Sequence, residues 1–336
     1  MKNISKTEKH LKKILSLGRI FWDSQILLVS AELNIFDEVL DWTDGERVAK
    51  SIKTDYKATL MLLDALVSLG FLEKKHNKYR LKQAYGNFLN SNSDKNVLSI
   101  LKHYYYMWGD WGQLIDSLKT GKSIEKQVDL ETKKKYSKIF ITAMDDLTKF
   151  YKDRIIKEID LSNVKKILDI GSGPATYIRE ILKREKNIKA TILDLPIAAK
   201  VGRDFVKKEH LLERVNFIEG DLREVNFGKG YDCVFIFQVL HALDDDTRKL
   251  ALKKAYDSLK DNGKIYIHEF YLNNSKTAPK DNVIFRLNML IHAPGGDNLS
   301  IKELRCLLQT AGFQLGKIVK FKTPSTVLVE GKKTVK

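Results

Sequence analysis

Apolar residues recur at helical spacing from near the start of the chain. Leu11, Ile14, Leu15, Ile20, Leu27, Leu28 and Leu33 mark helices over residues 11–40, and Ile35-Phe36 closes the segment. Thr43 to Lys50 reads as a helix start. Lys57 to Leu69 is a strongly periodic helix that Gly70 stops. Phe71-Leu72-Glu73 and Tyr79-Arg80-Leu81, on either side of the polar run from Lys74 to Lys78, read as two short strands. A helix–turn–helix followed by a β-wing is a winged-helix pattern. Residues 97–160 turn helical again and are rich in aromatics, among them Tyr104, Tyr105, Tyr106, Trp108, Trp111, Tyr136, Phe140, Phe150 and Tyr151. They are expected to fill the space between two domains, and in part to wall an apolar pocket.

From Val164 the rhythm changes to strand–helix alternation. Strands are expected at Lys166–Ile170, Ala190–Asp194, Asn216–Glu219, Tyr231–Phe237 and Lys264–Phe270. Helices fall at Thr176–Glu185, Ile197–Lys208, Asp245–Leu259 and Ser300–Ala311, the last with a capping box of Ser300 and Glu303 and a stop at Gly312. Gln314–Lys320 and Ser325–Glu330 read as a closing hairpin. The fold class is therefore α/β: a doubly wound, mostly parallel Rossmann-like sheet with an antiparallel C-terminal hairpin, preceded by an α-helical winged-helix domain. The expected boundaries are 1–96 for the first domain, 97–160 for the helical linker and 161–336 for the α/β domain.

Composition narrows the class. With 43% hydrophobic and 30% charged residues over 336 positions, the chain is an ordinary two-domain globular protein. No apolar run of the length a membrane span needs is evident, and no signal-peptide core follows the basic start. Cys233 and Cys306 are too few for a disulfide framework, so the expected compartment is cytoplasmic. The net charge of +16 divides into +6 over residues 1–160 and +10 beyond, with lysine dominating arginine. That spread describes a solvated surface rather than an arginine-rich nucleic-acid face, and neither nucleic acid nor membrane is an expected partner.

Chemistry concentrates at the strand ends. Ile167-Leu168-Asp169-Ile170-Gly171-Ser172-Gly173-Pro174-Ala175-Thr176 occupies the first strand-to-helix junction. Glycines there allow a tight turn and close approach of a ligand. A dinucleotide fingerprint would read G-x-G-x-x-G, but Thr176 stands at its last glycine. An aspartate two residues before the first glycine suits a phosphate-free, zwitterionic ligand, whose ammonium a carboxylate can engage. Asp194, 23 residues past Gly171 and followed by Leu195, ends the second strand where an acidic side chain takes ribose hydroxyls. Asp221 ends the third, placed to accept from an adenine amine while Leu222 packs the ring.

These residues, with Phe237-Gln238-Val239-Leu240-His241, resemble the class I methyltransferases. More narrowly they are similar to the small-molecule O-methyltransferases of caffeate, acetylserotonin and bacterial antibiotic type. Ala31–Asp37 is similar to that family's N-terminal helix, Leu69-Gly70-Phe71 and Tyr79-Arg80-Leu81 to its wing, and Met289-Leu290 through Gly295-Gly296 to its late substrate loop. The resemblance implies S-adenosyl-L-methionine as cofactor, S-adenosyl-L-homocysteine as product, a small-molecule acceptor, and a homodimer through the N-terminal domain. It places Asp169, Gly171, Gly173, Asp194, Leu195, Asp221, Leu222 and Phe237 at the cofactor. It places Phe140, Met144, Asn288, Met289, His292 and Asn298 at the acceptor. Ala175 stands where most members carry glycine, a change expected to be met by a slightly wider loop.

The resemblance also makes His241 the general base, oriented by Glu269, 28 residues on at the end of the next strand. The Asp-Trp that follows the histidine in the family is Ala242-Leu243 here, and its second glutamate aligns with Asn298. Asn298 can hydrogen-bond an imidazole without offering charge, and Asp297 stands next door as a substitute. No metal is expected: Asp244-Asp245-Asp246 reads as a helix start, although carboxylates that hold Mg²⁺ are the other possibility weighed. His268 alternates with Glu269 and is expected to be structural. The expected reaction is methyl transfer to a hydroxyl of an aromatic or polycyclic metabolite, with N- or C-methylation, or a divergent cofactor-binding member, as alternatives. A winged-helix DNA-binding regulator with a metabolite-sensing domain is the alternative from another class. The acidic Asp55 opening its would-be recognition helix speaks against it.

Overall fold

Helix starts in this chain are set by short side chains that accept a backbone N–H. Asp44, Asp55, Asp129, Asp244 and Ser300 each cap the helix that follows, and Ser300 closes a full capping box with Glu303. The computed structural model describes residues 6–124 and 129–334, and the chain divides into two units, 1–108 and 109–336.

In the first unit, α1 (Lys6–Glu32) leads through α2 (Ile35–Glu38) and β1 (Thr43–Asp44) to α3 (Gly45–Ser51) and α4 (Tyr56–Ser68). The hairpin of β2 (Leu72–Lys75) and β3 (Lys78–Leu81) follows, and α5 (Leu98–Trp111) runs into the second unit. The sheet order is β1-β3-β2. The expected helix start at Thr43 is corrected: Thr43 and Asp44 pair with Tyr79 and Lys78 as a strand, and the helix begins at Gly45. Ile35, Phe36, Val48, Leu63, Leu66, Leu72 and Tyr79 are fully or almost fully buried and form the core of this winged-helix-like unit. By contrast Leu11, Ile14, Leu15, Leu17, Ile20, Phe21 and Trp22 on α1 are exposed. By length and composition α1 could cross a membrane, against the expectation that no apolar run reaches that size.

The second unit continues with α6 (Leu114–Thr120), α7 (Leu130–Thr148) and α8 (Lys152–Ile156), then β4 (Lys166–Ile170), α9 (Thr176–Arg184), β5 (Lys189–Asp194), α10 (Pro196–Lys208) and β6 (Val215–Glu219). β7 (Tyr231–Phe237), α11 (Asp245–Ser258), β8 (Leu259–Leu272), α12 (Lys280–His292), β9 (Leu299–Ser300), α13 (Ile301–Thr310), β10 (Phe313–Lys322) and β11 (Ser325–Lys333) complete it. The sheet runs β10-β11-β8-β7-β4-β5-β6. Strands β8-β7-β4-β5-β6 are parallel, and β11 and β10 add the antiparallel hairpin. Alternation along the strands separates two core layers. Ile167, Cys233, Phe235 and Tyr266 pack with α9 and α10 on one face, while Leu168, Ile170, Val234, Ile236, Ile265 and Ile267 pack with α11 and α13 on the other. The fold is the expected Rossmann-like α/β core with a helical N-terminal region. One local reading needs correction: Asn288, Met289 and His292 lie on helix α12, not in a loop.

Candidate active site

Parallel strands β4, β5, β7 and β8 all end on one edge of the sheet, and the residues singled out in the sequence meet there. Gly171 has φ +69° and its N–H donates to Leu193 O at 2.8 Å. A Cβ at Gly171 would lie 2.4 Å from Val239 Cγ2, so the glycine loop packs directly on the turn that leads to His241. Gly173, at φ +54°, donates to Asp194 Oδ2 at 2.7 Å, and its missing Cβ faces open space. Gly202 on α10 was not singled out in the sequence. A Cβ there would stand 2.5 Å from Gly173 O, so Gly202 lets α10 approach the loop. Ala175 is buried at φ +56°, a left-handed conformation that disfavours any residue with a Cβ.

The charges at this edge favour a cationic ligand group. Burial pushes the Asp169 carboxyl up to about 7, the nearby Asp194 carboxylate adds to the rise, and the Ser172 hydroxyl opposes it. Burial also raises Asp194, against the N–H groups of Gly173 and Leu195 that donate to it. Among the described residues no lysine or arginine pairs with either carboxylate. Asp221 differs. The Arg223 guanidinium grips both its oxygens and holds it below the usual carboxylate range. Leu222 packs against the core layer and Leu195 is exposed. Phe237 is nearly buried, stacked on Phe235 at 4.8 Å and edge-on to Tyr177 at 4.8 Å. A buried carboxylate and a half-buried one, both lacking a protein cation and set beside an open glycine turn, match an adenosyl ligand with an amino-acid tail.

His241 sits in a short 3₁₀ turn (Leu240–Ala242) after β7. Its Nδ1 lies 2.8 Å from Glu269 Oε2, and the other oxygen of Glu269 accepts from Leu240 N–H at 2.7 Å. Glu269 is buried, so both of its oxygens are committed to holding this turn. Arg248, also buried and not foreseen, donates from Nε to Leu240 O and from Nη2 to Asp297 O. Phe270 and Phe285 flank the imidazole at ring distances of 5.6 and 5.2 Å.

Asn298 is corrected as an imidazole partner. It is fully buried, its amide donates to Asn282 O at 2.8 Å, and its Oδ1 has no partner among the described residues. Asp297 is no substitute, because its carboxylate is held by both Arg286 Nε and Nη2. His268 is buried between Thr326 and Tyr177, and burial lowers its pKa to about 4, as a structural neutral histidine requires. Asp244 caps α11 through Thr247 N–H at 2.8 Å. Phe140 and Met144 lie one turn apart on α7. The next residue, Asp145, accepts from Thr176 and Arg179 and ties α7 to the start of α9. Met289 is buried on α12, while Asn288 and His292 contact Trp111 and Asp110.

Comparison with known proteins places these features together. Residues 121–314 match the O-methyltransferase domain model and residues 15–91 the O-methyltransferase dimerisation domain model. The chain is 26% identical over 327 residues to the S-adenosyl-L-methionine-dependent methyl transferase PigF of Serratia sp., covering 94% of this chain and 93% of that one. It is 22% identical to the N,N-dimethyltransferase OxyT of Streptomyces rimosus, covering 90% and 91%. Its fold matches human N-acetylserotonin methyltransferase, solved in complex with SAM, with a TM-score of 0.85, 23% identity and all of both chains covered.

Proposed function

The chain belongs to the O-methyltransferase family as an S-adenosylmethionine-dependent methyltransferase of small organic acceptors, and from that premise we propose that it methylates a hydroxyl of an aromatic or polycyclic metabolite with His241 as general base. The observation that carries this reading is the His241–Glu269 contact at 2.8 Å. A carboxylate accepts only, so Nδ1 bears the proton and Nε2 presents its lone pair. Nε2 then takes the proton of a hydroxyl, and Glu269 stabilises the resulting imidazolium. Phe270 and Phe285 offer ring faces and edges to an aromatic acceptor and exclude water from the imidazole.

When bound, the donor supplies an already activated sulfonium methyl group. Asp169 offers the counter-charge for its ammonium, Asp194 accepts from ribose, Asp221 accepts from adenine, and Gly171 and Gly173 leave room for the tail. Leu195, Leu222 and Phe237 line the adenosine side in this reading. Phe140 and Met144 on α7 and Asn288, Met289 and His292 on α12 face the acceptor. Asn298 acts from behind α12, through Asn282.

The first unit, with residues 15–91 matching the dimerisation domain, pairs with a second copy through the apolar surface of α1. Amine methylation is the second reading. Similarity to an N,N-dimethyltransferase supports it.

The test is methyl transfer from labelled donor to a panel of hydroxyarenes, with the product mapped by mass and NMR. His241→Ala is expected to lower kcat by about 100- to 10,000-fold while cofactor affinity by calorimetry stays level. Full turnover in that variant removes the histidine from its role, and label on nitrogen moves the chemistry to the second reading.

A further inference from the structure

The two residues after His241 are Ala242 and Leu243, and neither side chain offers a hydrogen bond to the turn. What holds the turn comes from elsewhere in the chain. The Val239–Leu240 peptide is fixed from one side, where Leu240 N–H donates to Glu269 Oε1 at 2.7 Å. The Leu240–His241 peptide is fixed from the other. Arg248, in the first turn of α11, donates from Nε to Leu240 O at 2.8 Å, and Leu243 N–H shares that oxygen at 3.2 Å. A peptide unit is planar, so an oxygen held in place orients the whole plane, including the Cα of the next residue. That Cα belongs to His241.

The same guanidinium reaches further. Nη2 donates to Asp297 O at 2.6 Å and Nη1 to Asp245 Oδ1 at 2.7 Å, so all three nitrogens are used. The side chain is only 2% exposed, and a cation buried that deeply persists only where its N–H groups are matched. Asp297 ends the segment that follows α12, and the glycines of that segment sit directly on the turn. A Cβ at Gly296 would lie 2.8 Å from His241 O, and one at Gly295 would lie 2.8 Å from Asp244 Cβ. Consecutive peptides around the base are therefore set by Glu269, by Arg248 and by the close approach of Gly296. α12 itself brings Phe285 against the imidazole at 5.2 Å.

We infer that Arg248 is a positioning residue for His241. By joining Leu240 O to Asp297 O it fixes the peptide plane that carries the ring, and it makes the Gly295–Asp297 segment part of the mount that keeps Nδ1 on Glu269. The inference rests on the proposed role of His241 as base and deepens it by naming what aims the imidazole. The fork geometry matters as well as the charge. Lysine keeps the charge as a single ammonium on a flexible stem, without the fixed spacing that lets one planar group hold two carbonyls.

The experiment reads the ring itself. The whole chain, labelled with ¹⁵N-histidine and saturated with S-adenosylhomocysteine, is followed by NMR at about pH 8.5, where an ordinary imidazole is neutral. His241 is identified among the seven histidines by the signal missing in His241→Gln. The wild type is expected to show an Nδ1-protonated ring whose proton exchanges slowly. Arg248→Met and the conservative Arg248→Lys are both expected to lose that slow proton and to divide the ring between its two tautomers. Affinity for S-adenosylhomocysteine by calorimetry stays level, and circular dichroism checks folding, with the lysine variant carrying the test where methionine fails to fold. A ring displaced by about 1 Å predicts a fall in kcat of up to about 100-fold in labelled methyl transfer, with a smaller change in KM. The tautomer ratio is a readout that loosened packing elsewhere in the sheet leaves in place. An undisturbed Nδ1 proton in either folded variant overturns the inference, since recovery by lysine would make the charge sufficient. Full turnover in His241→Ala overturns the base reading and leaves the Arg248 result standing, whereas an inactive His241→Ala beside an undisturbed proton in the Arg248 variants overturns the inference alone.

Discussion

Single residues decide how the cofactor edge behaves, and two of them give measurable consequences. Ala175 is buried at φ +56°. The left-handed region costs a residue with a Cβ roughly 1–2 kcal/mol, partly offset by the greater chain entropy that glycine loses on folding. Ala175→Gly is therefore expected to raise unfolding free energy by up to about 1 kcal/mol in urea titration. Ala175→Val, β-branched in the same conformation, should lower it by about 2 kcal/mol or more. Destabilisation by the glycine variant would contradict strain at this turn. Asp169 sets a pH dependence. Its folded pKa, about 7, lies above the ordinary value of 3.8, so its stability contribution is present below the ordinary value and is lost as pH rises through about 7. A ligand ammonium needs the ionised form, so affinity should run the other way. S-adenosylhomocysteine is expected to bind progressively tighter from about pH 5.5 to about pH 8, by up to tenfold per unit below 7, with proton release on binding. Asp169→Asn should bind weakly and without that slope, and a flat wild-type profile by calorimetry would remove the ammonium partner. Asp169, Gly171, Gly173, Asp194, His241 and Glu269 were legible because each combines a residue type with a strand-end position. Trp111, Gly202 and Arg248 were not, because each matters through a partner distant in the chain that only folding supplies.

At the scale of elements, the strands and most helices follow from alternation and caps, and α12 shows where that signal fails. Its sequence from Lys280 to His292 places Val283, Ile284, Phe285, Leu287, Met289, Leu290 and Ile291 almost continuously. No narrow apolar stripe stands out, and Pro279 at the N-cap provides no side-chain acceptor. The helix is stabilised from outside. Asn282 Nδ2 donates to Tyr271 O at 2.8 Å and to Ser325 O at 2.7 Å, tying the first turn to β8 and to the start of β11, while its own carbonyl accepts from Asn298. Asn282 is buried, so losing its amide leaves two carbonyls without their donor. Asn282→Ala is expected to cost about 2–4 kcal/mol in urea unfolding, with a raised KM for the acceptor because α12 carries the proposed recognition face. A loss under about 0.5 kcal/mol would show that the helix is held by its apolar contacts alone. The same network explains why Asn298 was misplaced in the sequence. Alignment put it beside the base, but its amide spans from the β9 side to α12.

The whole molecule poses one question that the first unit makes sharp: what covers α1. Over 27 residues this helix buries only Leu28, Ser30 and Ala31, and its apolar positions do not keep to one side. Leu11, Ile14, Leu15, Leu17, Ile20, Phe21 and Trp22 spread over more than half of the helix circumference, all exposed. A helix apolar over so wide an arc is stable in water only when another surface encloses it. A membrane and a second copy of the chain are the two candidates that length and composition admit. The match of residues 15–91 to the dimerisation domain favours the copy, since a two-fold interface would let the exposed bands of two α1 helices cover each other. The full-length protein is thus expected to elute at twice the chain mass in light-scattering chromatography. Ile14→Lys combined with Leu17→Lys puts two neighbouring charges into that band without touching either core, because both positions are more than 60% exposed within one chain. The double variant should shift to monomer at micromolar concentration while its circular dichroism is retained. A wild-type monomer that floats with lipid vesicles would assign α1 to the membrane instead. A dimer unmoved by both lysines would place the two-fold contact elsewhere on the first unit, and the exposed helix would then need a different cover.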